Sequence, residues 1–338
     1  MKSVGLSTTD PFFVSVVVPL YNGGPYIESA LKSILAQSYD QFEIVVVDDG
    51  SSDDGSAKVT DLSERDPGRI RLIHHPDRGN HGIAASRNLG IRNARGGCVA
   101  FLDQDDLWLA DKLEKQVEAL RRHPDAAFVY SKSSFVDQEG LEFRVGGVIE
   151  THGKGRTGNP QNIFGRLIVE NIVPSSAVLL RRSCLEEVGF FDEGPRHEYE
   201  DWILWSKCAY FHGVVFLPEI LSKHRRHEGS YSRYRLESGL HHQAEEHYII
   251  SLFTYLLNCE GIDRRRVKKL LNRRLLLFFL RARSWGANRQ ALQGHALNLA
   301  RAFPESQRAI RTAARFAVAL PPRFASIARR LRRAAVGT

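Results

Sequence analysis

With 338 residues, 43% of them hydrophobic, the chain is long enough for about two average domains and apolar enough for a sizeable core, which excludes a disordered chain. The net charge of +8 hides a division: residues 263–338 hold 19 Lys/Arg against Asp263 and Glu305, a balance of +17, so residues 1–262 carry −9. Four separated cysteines with no CxxC or Cys/His spacing argue against a disulfide framework or a zinc site, and no apolar run approaches the roughly 20 residues that span a bilayer.

The opening MKSVGLSTTDPFF has no long apolar stretch of the kind a secretion signal needs, so a cytoplasmic protein is expected. FVSVVV (13–18) reads as a strand. PYIESALKSILAQS (25–38) follows as a helix with Ile27, Ala30, Leu31, Ile34 and Leu35 on one face. EIVVV (43–47) is the next strand, then a short helix over 54–65, a strand at 70–75, and a small-residue helix over 82–94. CVAFL (98–102) is again a strand, residues 110–122 again a helix stopped by Pro124, and 127–137 extends the sheet. This alternation predicts an α/β fold with a mostly parallel twisted sheet flanked by helices. The glycine-rich patch GGVIETHGKGRTGNP (146–160) reads as a loop between two halves. Residues 236–338 read as a basic C-terminal helical extension, drawn as three helices: 241–258, one beginning near 264, and one beginning near 308.

Strands that end in acids carry the chemistry. VVVDDGSS (45–52) runs from a buried β-branched strand into Asp48 and Asp49, and FLDQDD (101–106) ends the 98–102 strand in Asp103, Asp105 and Asp106. Open α/β sheets bind ligands at this carboxyl edge. There is no GxGxxG and no P-loop, so phosphates must be held another way. Clustered carboxylates suit Mg2+ or Mn2+, which bind through one or two acids plus the phosphates of the substrate. The alternative is that both clusters are only helix caps and turns.

Several segments in order resemble the family 2 glycosyltransferases of GT-A fold: VSVVVPLYN (14–22), ILAQSY (34–39), EIVVVDDGSSD (43–53), GIAASRNLGI (82–91), FLDQDDLW (101–108), VGFFDE (188–193) and EYEDWILW (198–205). The resemblance implies that Pro19, Tyr21 and Asp49 line the pocket for the nucleobase, most naturally uracil, with Asp48 a structural partner. It makes Asp103 a ribose or diphosphate contact and Asp105 the metal ligand. Arg87 is a candidate for the diphosphate, with a helix-face salt bridge as the alternative. It places the general base of an inverting transfer at Asp201, beside Glu200 as an acceptor-positioning residue; the plain alternative is that both acids favour a helix N-terminus. LSKHRRHEGSYS (221–232) resembles the closing segment of the family, with Arg225 toward the diphosphate, His227 toward the metal and a lid around Gly229. His224 stands where the family has an aromatic residue.

By the same resemblance, residues 1–145 form the nucleotide-sugar-binding half, 146–235 the acceptor and catalytic-base half, and 236–338 the basic helical region. The expected partners are a nucleotide-sugar donor and a glycan or lipid-linked acceptor. Arginine-rich helices with Leu/Phe faces point to an anionic membrane surface, which would make the protein peripheral on the cytoplasmic face; an oligomer interface is the alternative for those helices. Recognition motifs for nucleic acid are lacking. QxxRW and membrane spans of processive synthases are absent, so single-sugar addition is expected. A non-catalytic GT-A-like scaffold subunit and a sugar nucleotidyltransferase remain as other readings. The nucleotidyltransferase would want Arg or Lys in the loop PLYNGGPYIES (19–29), which has none.

Overall fold

A computed structural model describes residues 10–145, 148–149, 151–155, 161–194, 199–229 and 241–319. The expected features at residues 1–9, at the serines of 230–232, in parts of the glycine-rich patch and beyond 319 lie outside these. The chain divides into two compact units. One comprises Met1–Ile163, Ile172–Glu193 and Cys208–His227; the other comprises Phe164–Asn171, Gly194–Lys207 and Glu228–Thr338.

The first unit is a sheet with helices. Its elements in chain order are β1 (Val14–Leu20), α1 (Ile27–Leu35), β2 (Phe42–Asp48), α2 (Gly55–Arg65), β3 (Ile70–His74), α3 (Ile83–Asn93), β4 (Cys98–Phe101), β5 (Leu107–Trp108), α4 (Lys112–Arg122) and β6 (Ala126–Val136). The glycine-rich patch differs from the expected loop: β7 (Arg144–Val145) pairs β8 (Val148–Ile149), and β9 (Thr151–His152) pairs β6. The sheet order is β3-β2-β1-β4-β10-β6-β11-β5, where β10 is Val178–Arg181 and β11 is Gly213–Arg225.

All seven residues of β1 and all seven of β2 are buried, as a strand covered on both faces requires. Burying each Val or Leu fully contributes about 1.5–3 kcal/mol. β1 runs parallel to β2 on one side and to β4 on the other, so their carboxyl ends lie together. Beyond β4 the pattern changes. β10 enters antiparallel between β4 and β6, while β11 lies parallel to β6 and antiparallel to β5. The sheet, expected to be mostly parallel, is parallel where the strands alternate with helices and antiparallel around β10.

α1 buries Ile27, Ala30, Leu31 and Ile34, the face expected from their spacing. α3 can lie close to β1 because position 90 is glycine: a Cβ there would stand 2.4 Å from Val17 Cγ1. One buried carboxylate between β1 and β3 is matched. Glu43 accepts from the Ser15 hydroxyl at 2.7 Å and pairs with Arg71 at 2.9 Å, since an unpaired buried carboxylate would be costly.

The second unit contains α5 (Phe164–Leu167), the start of α7 (Glu200–Phe211), and four C-terminal helices: α8 (His241–Asn258), α9 (Arg264–Ser284), α10 (Arg289–Ala302) and α11 (Gln307–Ala319). Helix α6 (Arg182–Val188) belongs to the sheet unit. α10 was not expected from sequence. The apolar faces of α9 and α11 are largely buried, through Val267, Leu271, Leu275, Phe278 and Phe279 on α9 and Ile310 and Ala314 on α11. Arg274, expected on a solvated face, is 0% exposed. No helix among the described residues is long and apolar enough to cross a membrane.

Candidate active site

The parallel register brings three chain ends to one edge: Leu20 opposite Asp48, and Phe101 beside Val17. Asp48 therefore ends β2 and Asp49 follows it, next to Tyr21, with Asp103 and Asp105 just past β4. The two aspartates of DDGSS have different surroundings. Asp48 accepts from the Ser51 N–H at 2.9 Å and the Ser56 hydroxyl at 2.5 Å. Burial alone would raise its carboxyl, yet these hydrogen bonds from Ser56 and Ser51 hold it below the ordinary value. Asp49 is 4% exposed and accepts from the His81 and Gly82 N–H groups, at 2.7 and 2.9 Å, where α3 begins. The turn between the strand and α2 needs Gly50: its φ is +78°, and a Cβ would meet the carbonyl carbon of Gly79 at 2.9 Å. His75, 3.4 Å from Asp49, is stacked on His81 and contacts the Ser86 hydroxyl at 2.9 Å. Burial, with His81 next, lowers its pKa, so it is a neutral imidazole at neutral pH.

Pro19 is buried within β1, while the ring of Tyr21 is 48% exposed. Gln104 fixes the Tyr21 backbone by accepting from its N–H at 2.8 Å and donating to its C=O at 3.0 Å. Gln104, lying between two acids, carries no sequence signal for this contact.

Arg87 is almost wholly buried, between Phe101 and Phe191 at 5.9 and 5.3 Å, and donates to Asp103 at 2.6 Å. The salt bridge weighed for it is thus present, with Asp103 as the partner. Asp105 faces His227: Oδ2 to Nε2 is 2.9 Å, with both side chains partly exposed. The His227 ring also packs against Tyr26 in a tilted arrangement, 4.6 Å between centroids and 42° between planes. Arg225 donates from Nε to the Asp105 carbonyl at 2.9 Å and from Nη1 to the carbonyls of Asp137 and Gln138, and lies 5.2 Å from the Tyr26 ring. Tyr26 carried no sequence signal for this role, since its position before α1 reads as part of an ordinary helix start.

Asp106, 1% exposed, is structural. It accepts from the Ser176 hydroxyl at 2.6 Å and the Arg225 N–H at 2.9 Å, and meets His224 at 3.2 Å. Burial alone would lower the His224 imidazole, but Asp106, with Asp105 and Asp103 behind it, outweighs this and holds its pKa up at about 9. His224 is therefore an imidazolium at neutral pH.

Asp105 and His227 offer one carboxylate and one imidazole side by side, the donor chemistry that Mg2+ or Mn2+ accepts when diphosphate oxygens fill the other positions. Among the described residues no three His, Cys, Asp or Glu side chains converge on a common point.

In the second unit, Glu200 and Asp201 occupy the first turn of α7. Glu200 is buried and Asp201 partly exposed. Asp201 accepts from Asn171 Nδ2 at 3.2 Å and from the Trp202 N–H at 2.6 Å. Asn171, in an unremarked stretch of sequence, could be found only through the fold.

A parallel half-sheet with carboxylates along one edge, continued by antiparallel strands, defines an α/β protein that binds its ligand across that edge. The family model of Glycosyl transferase family 2 matches residues 15–189, more than half of the chain, which therefore belongs to that family. An uncharacterized glycosyltransferase of Rickettsia bellii (strain RML369-C) is 31% identical over 231 residues, 67% of this chain but 31% of that protein. The chain spans about a third of the length of the relatives from Rickettsia felis, Rickettsia bellii and Rickettsia conorii, and 64% of the length of those from Rickettsia typhi and Rickettsia prowazekii. The UDP-Glc:alpha-D-GlcNAc-diphosphoundecaprenol beta-1,3-glucosyltransferase WfgD of Escherichia coli is 29% identical over 226 residues, 66% of this chain and 81% of that protein. Among solved structures, S. aureus TarS 1–349 in complex with UDP-GlcNAc has a TM-score of 0.64 at 19% identity, covering 95% of this chain and 90% of that one. Mannosyltransferase PcManGT from Pyrobaculum calidifontis, in complex with GDP-Man and Mn2+, has a TM-score of 0.56 at 22% identity, covering 96% and 86%. These likenesses identify the fold as GT-A.

Proposed function

We propose that the chain is an inverting, divalent-metal-dependent glycosyltransferase. It moves a single sugar from a nucleotide-sugar donor, a UDP-sugar, to a glycan or lipid-linked acceptor in cell-surface polysaccharide or glycoconjugate assembly. The observation that carries this reading is the placement of Asp49, Asp103 and Asp105 at adjoining strand ends in a chain of family 2. The UDP-linked substrates in the names of WfgD and of the TarS complex support UDP, and the Mn2+ of the PcManGT complex supports a divalent cation.

In this reading residues 1–145 bind the donor, 146–235 serve the acceptor, and 236–338 form the basic region. The exposed Tyr21 ring stacks on the base beside Pro19, and Asp49 accepts from the base N–H with lone pairs left over from its two backbone donors. Asp103, held by Arg87, takes the ribose or diphosphate, and the Arg87 charge reaches the diphosphate through that pair. Arg225 adds positive charge beside the diphosphate. Asp105 and His227 would hold Mn2+ or Mg2+, which as a Lewis acid stabilises the leaving diphosphate. Glu200 positions the acceptor, and Asp201 removes the proton of the acceptor hydroxyl as it attacks the anomeric carbon from the face opposite the leaving group, which inverts that centre.

The arginine-rich surface of α9 and α11 supports peripheral attachment to an anionic leaflet, on the cytoplasmic face. Their apolar faces are occupied in packing, so the attraction is mainly electrostatic.

Calorimetric titration with UDP, dTDP and GDP, with and without Mn2+, tests the reading. Mn2+-dependent binding of UDP that Asp105→Ala abolishes is the expected result. Absence of binding by all three would favour a non-catalytic GT-A-like subunit.

A further inference from the structure

The segment with Glu200 and Asp201 belongs to the same compact unit as the C-terminal helices, Gly194–Lys207 together with Glu228–Thr338. The contacts that hold it run through Trp202. Its indole N–H donates to the Leu167 carbonyl at 2.6 Å, and its backbone N–H holds one oxygen of Asp201 at 2.6 Å. Its ring stacks on Tyr248 of α8, with 4.2 Å between centroids and 22° between planes. The Tyr248 hydroxyl reaches the same Leu167 carbonyl at 3.2 Å and the Ser206 hydroxyl at 3.0 Å. The Arg274 guanidinium of α9 lies 5.8 and 5.6 Å from the Trp202 and Tyr248 centroids. Glu245 fixes it in an ion pair, and Arg281 joins the same Glu245 oxygen at 2.9 Å. The second oxygen of Asp201 is held by Asn171, four residues after Leu167 on the same segment.

A buried charge network is poor value as a source of stability, because well-packed apolar residues would serve as well or better. Arg274 and Glu245 are 0% and 1% exposed in a unit whose buried side chains include Leu252, Phe253, Leu271, Leu275 and Phe278. What such a network does supply is fixed geometry. The residue before the helix agrees: Tyr199 has φ +64°, a left-handed conformation that a bulky side chain holds only when its surroundings impose it, and its ring packs edge-on to Trp202 at 5.0 Å.

We propose that Tyr248 and Arg274 are positioning residues for the reaction, and that through Trp202 they orient the Asp201 carboxylate. The basic C-terminal helices are then part of the catalytic apparatus, whatever surface they also touch. This rests on the reading of Asp201 as the general base.

The experiment uses full-length Tyr248→Phe, Arg274→Ala and Asp201→Asn proteins, with UDP release followed on the sugar nucleotide that calorimetry selects. Tyr248→Phe and Arg274→Ala should lower kcat about 10- to 100-fold, the scale of a misplaced reacting group, with UDP affinity and donor KM unchanged. Guanidinium should restore part of the Arg274→Ala loss. Adding Tyr248→Phe to Asp201→Asn should cost nothing further, because the two act on one function. If Arg274→Ala does not fold, Tyr248→Phe, which keeps the ring stack, decides. Wild-type kcat in Tyr248→Phe, or a full additive loss in the double variant, overturns the inference while leaving Asp201 as base. Wild-type kcat in Asp201→Asn overturns the underlying reading instead.

Discussion

The two compact units treat charge in opposite ways. At the sheet edge Asp103, Asp105 and His227 keep 27%, 19% and 12% of their side chains exposed, each held on one side by a partner. In the helical unit Arg274, Glu245, Glu246 and His295 are sealed, with exposures of 0–8%. Groups that must meet a diphosphate have to stay reachable. Groups that only orient others gain by losing water, since a dry pair has fewer alternative partners. On the proposed reading, the contrast sets groups that face the diphosphate against groups that place others.

The sharpest way to break this comparison is at Asp201. Asp201→Asn keeps the shape and one of the two accepted hydrogen bonds, since its NH2 cannot accept as the second carboxylate oxygen does; it cannot take a proton, so kcat should fall about 10²–10⁴-fold. UDP affinity should not change. Turnover near wild type, measured by initial rates, would remove the base from the helical unit altogether. Asp105→Ala is the complementary cut: it should erase the Mn2+-dependent part of UDP affinity and leave the metal-free part, read by calorimetry in Mn2+ and in EDTA.

Arg87 tests whether the sheet edge also contains a sealed placing residue. Its guanidinium is 2% exposed and its partner Asp103 is 27% exposed. Arg87→Met should cost about 3 kcal/mol of unfolding free energy, toward the low end for a broken buried pair because Asp103 retains some water. Urea denaturation would show it. At the outer face of the helical unit, Arg308, Arg311 and Arg315 are exposed at spacings of three and four on α11, one face of that helix. Replacing all three with Gln should weaken binding to anionic vesicles by about 3 kcal/mol, roughly 100-fold, at about 1 kcal/mol per charge. Unchanged co-sedimentation would assign those arginines to solvent.

How much of this could be read from sequence follows the same division. β1 and β2 were legible because VSVVV and EIVVV are unbroken β-branched runs, and strands buried on both faces need such runs. The Asp49, Asp103 and Asp105 positions followed, since a residue just past such a strand lies at its carboxyl edge. β10 was not legible: VLLR is four residues long, and nothing local states that it will enter between β4 and β6 in the opposite direction. α10 was missed because Gly294 and His295 interrupt a weakly apolar stretch, and the burial of His295 is set by neighbours rather than by its own sequence. Arg274 shows the limit most clearly. Arginine at helical spacing beside leucines reads as a solvated face, and only the convergence of Glu245, Trp202 and Tyr248 turns it inward.

A pH series distinguishes a charge held by the sheet edge from one merely near it. His224, where the family has an aromatic residue, pairs with Asp106 and packs edge-on against Phe135 at 5.7 Å. Its folded pKa of about 9 lies above the ordinary 6.5. A group whose pKa is raised on folding binds more protons folded than unfolded, so stability falls as pH rises across the window between the two values. The contribution should be whole below about pH 6.5 and gone above about pH 9. Arg225, next in the chain, donates its N–H to the same Asp106 carboxylate. The measurement is urea unfolding in EDTA across that range for wild type and His224→Gln, taken as a difference so that other titrations cancel. A difference that shrinks steadily from pH 6.5 to 9 would make His224 a fixed cation of the diphosphate side. A flat difference would mean that the imidazole is neutral in the folded protein and that Asp106 is held by Ser176 and the Arg225 backbone instead.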